Sequence, residues 1–265
     1  MSRFAERFAA LRERGEGALI PFITAGDPDL ATTEALIPTL EAAGADAIEL
    51  GVPFSDPIAE GPTIQKSSER ALASGTTLHG ILQLVKQVRP KVDIPIVLMG
   101  YANPFFTMGE KAFAAAAAEV GVDGVIVPDL PPEEGADFYA ALEAAGVDPV
   151  LLAAPTTTPE RLALLAGRSR GFLYYVALTG VTGARAQVAV DLEAGVRRAR
   201  DLAGVPVCVG FGISTPEQVA DIRRFADGVV VGSALIDRLD AEPDLAGRLG
   251  AASDFIASLK GPLRG

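Results

Sequence analysis

Glu49 and Glu60 are the two residues of this 265-residue chain whose surroundings in sequence depart most from ordinary protein. Glu49 interrupts the apolar run Ala47-Ile48-Glu49-Leu50, and an ionised carboxylate inside a buried strand costs several kcal/mol unless something compensates it. The run then passes into Gly51-Val52-Pro53-Phe54-Ser55-Asp56-Pro57-Ile58-Ala59-Glu60-Gly61-Pro62-Thr63, a loop with three prolines and two more acids. Long polar loops after short strands are uncommon unless they serve a function. A buried acid has a raised pKa and donates protons near neutrality, which is the raw material of general acid–base catalysis. Glu49, opposite to Ile48 and Leu50 in the alternation, points into the pocket if it faces inward, the alternative being a buried Glu–Arg pair. Glu60 standing alone would be a solvated loop acid. Their company at one strand end marks a site.

What the chain lacks narrows the reaction. Its lysines are Lys66, Lys86, Lys91, Lys111 and Lys260, none of them in an expected strand, so a Schiff base is disfavoured. One histidine, His79, and one cysteine, Cys208, cannot supply a His- or Cys-rich metal site. His79 falls in a helical region, and no Ser–His pairing is visible. Cofactor-free chemistry by carboxylates remains.

Two glycine-rich turns suggest a phosphorylated substrate. Gly210-Phe211-Gly212-Ile213-Ser214 and Gly232-Ser233 each follow an apolar run. Glycines there let backbone N–H groups approach an anion at a helix N-terminus, although tight corner packing also uses glycine. Phe22, Tyr101, Tyr174 and Phe211 fall at or near strand ends, either as core or as a pocket for something flat and apolar.

The elements that must position these residues follow a recurring pattern: a helix end, Gly, a small residue, often Asp, then a β-branched run. Gly44-Ala45-Asp46-Ala47-Ile48, Gly121-Val122-Asp123-Gly124-Val125 and Gly146-Val147-Asp148-Pro149-Val150 are close copies. The glycine suits a left-handed helix end and the apolar run a strand buried on both faces. Eight such strands are expected near 18–24, 46–52, 95–101, 124–128, 149–154, 172–178, 206–210 and 228–232. Thr158-Pro159-Glu160 and Thr215-Pro216-Glu217-Gln218 place an N-cap before a helix-opening proline. Eight β/α units in one domain, residues 1–265, predict an α/β fold of the (β/α)8 TIM-barrel type, with an extra N-terminal helix as a plug. A doubly wound open sheet is the alternative, but Thr24-Ala25-Gly26-Asp27-Pro28 is no dinucleotide fingerprint. The long gaps after the second and sixth strands then open at the C-terminal rim, where barrels build active sites.

Composition sets outer bounds. A net charge of −11 argues against a nucleic-acid or anionic-membrane partner. The lone cysteine fits a reducing compartment. Phe4, Phe8 and Leu11 recur among charged residues as in an amphipathic helix, not a signal peptide. The longest small-apolar run, Ala112 to Ala118, falls far short of the roughly 20 residues that span a bilayer. A cytoplasmic protein is expected.

The motifs Glu49-Leu-Gly-Val-Pro-Phe-Ser-Asp-Pro57, Ala59-x-Gly-Pro-Thr-Ile-Gln65, Gly180-Val-Thr-Gly183 and Gly210-Phe-Gly-Ile-Ser214 resemble those of the tryptophan synthase alpha subunit family. Pro21-Phe22, Ala25-Gly-Asp-Pro28 and Tyr101-Ala-Asn103 agree, so the resemblance runs in order along nearly the whole chain. It implies a TIM barrel that cleaves indole-3-glycerol phosphate, by retro-aldol chemistry and without a cofactor of its own, to indole and glyceraldehyde 3-phosphate. It also implies docking on a pyridoxal-phosphate beta subunit, in a heterotetramer, with indole passed through a tunnel. By the same resemblance Glu49 protonates the indole carbon at the bond that breaks, and the acid at position 60 holds the indole N–H. Phe22, Tyr174 and Phe211 line the indole pocket, with Tyr101 near it. Gly183, Gly212, Gly232 and Ser233 hold the phosphate. Thr182 rides on a lid, Thr179 to Gln187, and Asp56, Pro57 and Asn103 face the beta subunit. Two positions depart from the pattern: Glu60 stands where the family has Asp, and Ala177 where it usually has Ser. The first lengthens a catalytic side chain and the second removes a hydroxyl near the lid, the alternative being that Ala177 opens room that suits the longer acid. Two rival readings follow: another phosphosugar barrel such as an isomerase, or an alpha-type barrel weakened at position 60 that serves as an activating partner.

Overall fold

The computed structural model describes residues 2–177, 185–210 and 212–264, the side chains of 185–190 excepted. Its strands are β1 (Ala18–Thr24), β2 (Ile48–Gly51), β3 (Ile96–Met99), β4 (Gly124–Ile126), β5 (Asp148–Pro149), β6 (Leu152–Ala153), β7 (Leu173–Val176), β8 (Val207–Gly210) and β9 (Gly228–Val231). All pair in parallel, in the order β5-β4-β3-β2-β1-β9-β8-β7-β6. The fifth strand expected from sequence is present as two short pieces, because its halves serve different neighbours. Val150 N–H donates to Val125 O at 2.9 Å on one side, and Leu151 O accepts from Tyr174 N–H at 3.0 Å on the other. That segment closes the barrel.

Alternation along each strand sorts side chains into two cores. Leu19, Ile23, Ile48, Leu50, Leu98 and Val125 pack outward under the helices. Ala18, Ile20, Ala47, Val97, Ile126, Val150, Cys208 and Val230 point inward. The inner core is completed by the N-terminal helix Arg3–Glu13, whose Phe4, Phe8 and Leu11 plug the bottom of the barrel. Phe4 meets Phe172 edge-on with ring centroids 5.6 Å apart, a geometry that aromatic quadrupoles favour. The expected plug is present. Thr158 and Thr215 cap their helices as expected, Thr215 in a full capping box with Gln218.

The recurring Asp has a physical reason. Asp46, Asp123 and Asp227 stand at the bottom of their strands, and each accepts an N–H near the start of a neighbouring strand: Leu19 at 2.8 Å, Ile96 at 2.8 Å and Val207 at 2.9 Å. Each carboxylate is then matched by cations. Arg7 (2.8 Å) and Lys260 (2.7 Å) meet Asp46, Arg3 (2.8 Å) and Arg89 (3.1 Å) meet Asp123, and Arg200 (2.8 Å) meets Asp227. A strand-end N–H with no partner would be costly at the barrel floor, and these aspartates supply one.

Asp123→Ala should therefore leave the Ile96 N–H without its acceptor and the largely buried Arg89, held otherwise by backbone carbonyls, without its carboxylate. Breaking such a pair from one side is expected to destabilise the fold by about 3 kcal/mol, whereas Arg3→Ala, which removes an exposed partner, should cost under about 1 kcal/mol. Urea unfolding of the two variants checks this; equal, small losses in both would show that the aspartate is not a structural tie.

Candidate active site

Alternation places Glu49 inward at the top of β2, flanked in register by Phe22 of β1 and Val97 of β3. The side chain is 1% exposed, and its Oε2 has no hydrogen-bond partner among the described residues. Burial, and secondarily the charge of Glu60, pushes its carboxyl up to about 8. The alternative of a buried Glu–Arg pair is not what the structure shows: among the described residues no arginine reaches Glu49.

The loop after β2 brings Glu60 to the same place, and backbone contacts fix it there. Tyr101 Oη accepts from Ala59 N–H at 2.8 Å, and the Tyr101 ring stacks on Phe54 at 5.3 Å. Glu60 N–H donates to Pro57 O at 3.0 Å, and Gln65 Nε2 donates to Glu60 O at 2.9 Å. The chain then enters the helix Pro62–Ala73 with proline at its first position, where the missing N–H does no harm. That helix is tied to the end of β1 by a Thr24–Ser67 hydroxyl pair and by Arg70 on Asp27 at 2.6 Å. With its backbone held, the Glu60 side chain lines the cavity, and burial raises its carboxyl to about 7.

The cavity has a volume of about 390 Å³. Phe22, Tyr174, Ile64, Met99, Leu152 and Val176 give it apolar walls around the two acids. Tyr174 lies against Gly210, where a Cβ would come within 2.1 Å of its hydroxyl oxygen, so only glycine at the end of β8 admits this ring. Burial and the charges of Glu49 and Glu60 push the Tyr174 hydroxyl well above its usual range, so it stays protonated. At the other end of the cavity stand Gly212, with φ +74°, and Gly232-Ser233-Ala234. Gly232 is the N-cap of the helix Ser233–Asp240, whose first N–H groups have no intrahelical acceptor and carry the positive end of its dipole. An anionic group fits there.

Glu49, Glu60, Phe22, Tyr174, Gly212, Gly232 and Ser233 are thus brought together as the sequence reading expects. Tyr101 lines a small recess that adjoins the cavity and shares Phe22, Glu60, Ile64 and Met99 with it, its hydroxyl accepting from Ala59 N–H. Thr182, Gly183, Phe211 and the first part of the expected lid, 179–184, lie outside the described residues, and its last residues open the helix Arg185–Leu202. Ala177 packs in the outer core and does not line the cavity, so it opens no room for Glu60. The sequence reading missed Met99, Leu152 and Val176, although each lies two residues beyond an inward-facing one (Val97, Val150, Tyr174) and alternation would have found them. It also missed Ile64, one helical turn after Glu60, and Asp237, which accepts from Thr63 Oγ1 at 3.0 Å and links the two helices flanking the cavity.

The sequence pattern of the family described as "Tryptophan synthase alpha chain" matches residues 8–255. The tryptophan synthase alpha chain of Citrifermentans bemidjiense is 56% identical over 268 residues, covering 100% of this chain and 99% of that one. That of Caulobacter sp. is 52% identical over 244 residues, covering 92% and 89%. Among solved structures, tryptophan synthase subunit alpha from Legionella pneumophila superposes with a TM-score of 0.90 at 38% identity, covering 99% of this chain and 98% of that one. A chain of Mycobacterium tuberculosis tryptophan synthase in its aminoacrylate-bound form gives 0.89 at 34% identity, covering 100% of both.

The buried acid ties stability to pH. The Glu49 carboxyl rises from 4.5 to about 8 on folding, so the fold binds its proton more tightly than the unfolded chain does. That contribution is fully present below about pH 4.5 and is lost as pH rises through 8. Glu49→Gln, which cannot ionise, should gain on the wild type by on the order of 3 kcal/mol between pH 5 and pH 8.5. Urea unfolding at both pH values reads this; a difference between the two proteins that does not change with pH would mean Glu49 is not held protonated.

Proposed function

The chain belongs to the tryptophan synthase alpha chain family, and we propose that its cavity cleaves indole-3-glycerol phosphate to indole and glyceraldehyde 3-phosphate. One observation carries this reading: two carboxyls line one apolar cavity with affinities for a proton split in the useful order. Near pH 7.5 Glu49, raised to about 8, still holds its proton while Glu60, raised to about 7, has mostly lost its own. Glu49 donates that proton to the indole carbon that carries the glycerol chain. The positive charge that develops on the indole nitrogen is held by the Glu60 carboxylate. The carbon–carbon bond then breaks, its electrons returning to the indole ring as the adjacent glycerol hydroxyl becomes the aldehyde. The proton of that hydroxyl returns to Glu49, which closes the proton balance with no cofactor of the chain's own. Phe22 and Tyr174 flank the flat ring, and Gly212, Gly232 and Ser233 hold the phosphate.

An isomerase would share the phosphate end of the cavity but would have no use for the apolar walls at the other. The reading as a partner without activity rests on Glu60 alone, and the Glu60 carboxyl lines the cavity with Glu49. The same reading includes docking on a beta subunit over the rim formed by Asp56, Pro57 and Asn103. Supporting it, Ile58 is 83% and Phe106 40% exposed, large apolar groups on that rim. Among the described residues no helix is long and apolar enough to cross a membrane.

Indole release from indole-3-glycerol phosphate by the isolated chain tests the activity directly. Glu49→Gln is expected to lower it at least about 100-fold; near-normal turnover would remove Glu49 from the mechanism. The pH profile of kcat/KM should be a bell with limbs near 7 and 8, and a profile flat across that range contradicts the assigned protonation states. Glu60→Asp should raise kcat while changing stability by less than about 1 kcal/mol, because the loop backbone is held and the extra methylene falls on the side chain alone. A fall in kcat would show that the cavity is adapted to glutamate.

A further inference from the structure

The bottom of the barrel, opposite the active site, holds a second concavity of about 200 Å³. Its floor is Phe8 and Leu11 of the plug helix, and its rim carries Arg12, Arg200 and Arg223 with Glu16 and Asp227. The charges there do not cancel. Asp227 is matched by Arg200 at 2.8 Å and Glu16 by Arg14 at 3.2 Å. Arg223 donates only to backbone carbonyls, Nε to Leu263 O at 3.1 Å and Nη2 to Gly15 O. The Arg12 side chain has no hydrogen-bond or ion-pair partner among the described residues. Asp46 and Asp123 each collect two cations, whereas at Asp227 one cation meets the carboxylate and two stand without one.

A guanidinium has five N–H donors in a planar fork. Arg12 has all of them free, and Arg223 keeps those that its two carbonyls do not use. Two such groups facing one recess with an apolar floor focus a positive potential, on a chain whose net charge is −11. Planar guanidinium forks match the oxygens of phosphate and carboxylate.

We propose that this concavity binds a small multivalent oxyanion, a phosphate group or a polycarboxylate, held between Arg12 of the plug helix and Arg223 of the helix Pro216–Arg223. The bound anion bridges the plug to the outer helix layer and to the C-terminal turn at Leu263, so its binding stabilises the fold by mass action. The site is separate from the cavity that carries the two glutamates, and its occupancy does not depend on the reaction assigned there.

The test is a titration of the full chain with inorganic phosphate and, separately, citrate, at constant ionic strength set with chloride, followed by calorimetry and by the unfolding temperature. Arg12 is exposed, so Arg12→Ala should fold normally and keep its rate of indole release. The expected result is saturable binding that raises the wild-type Tm and weakens about tenfold or more in Arg12→Ala, with Arg12→Lys between the two. Tighter phosphate than citrate binding assigns a phosphate-bearing ligand, and the reverse a polycarboxylate. Phosphate binding of equal strength in wild type and Arg12→Ala would place all of it at the Ser233 helix and overturn the proposal, as would the absence of any Arg12-dependent binding of either anion.

Discussion

The removal of Glu49 from water is the constraint on which the rest of this structure depends. A carboxylate at 1% exposure with an oxygen left unpartnered is costly in its charged form, so the group holds a proton up to about pH 8. The barrel makes that environment. Phe4, Phe8 and Leu11 close the floor, the inward-facing residues fill the middle, and Glu49 sits on top of this column with a cavity above it. A proton donor near neutrality follows chiefly from packing, with the charge of Glu60 as the smaller contribution.

The second acid is positioned by the opposite means. Glu60 comes from a loop, and loops position side chains well only when their backbone groups are engaged. Here Tyr101, Pro57 and Gln65 take the N–H and C=O groups on either side of Glu60, and Arg70 and Ser67 anchor the helix that follows. The two acids also act on one another. A charge on Glu60 makes it harder to ionise Glu49, which widens the interval in which one is a carboxylate and the other an acid.

Much of this is legible in the sequence, for reasons that differ by residue. Glu49 stands out because an acid in an apolar run violates the pattern of a buried strand, and Gly212 and Gly232 because backbone near an anion has few alternatives to glycine. Eight strands, the plug and the caps follow from periodicity and from local hydrogen-bonding chemistry. The division of the fifth strand does not, since it depends on which neighbour each half meets. Tyr101 shows a similar limit: its ring lies by the cavity, as a strand-end residue would, but that its hydroxyl answers an N–H more than forty positions earlier in the chain, Ala59, could not be read from the sequence. Ala177 faces the helices, so the missing hydroxyl has no bearing on Glu60. The Asp at the strand starts was visible as a repeat, whereas its role as acceptor for an N–H at the start of the preceding strand needed coordinates.

The most direct test of this account is the protonation state of one carboxyl. Isotope-edited infrared difference spectra between wild type and Glu49→Gln isolate the stretch of the protonated Glu49 group across a pH titration. The expected result is a Glu49 acid signal that persists at pH 7 and disappears near 8, and that in a Glu60→Gln background disappears at somewhat lower pH but still well above 4.5, because burial outweighs the neighbouring charge. A Glu49 already ionised at pH 6, or one that returns to 4.5 when Glu60 is neutralised, would contradict burial as the source of the proton donor.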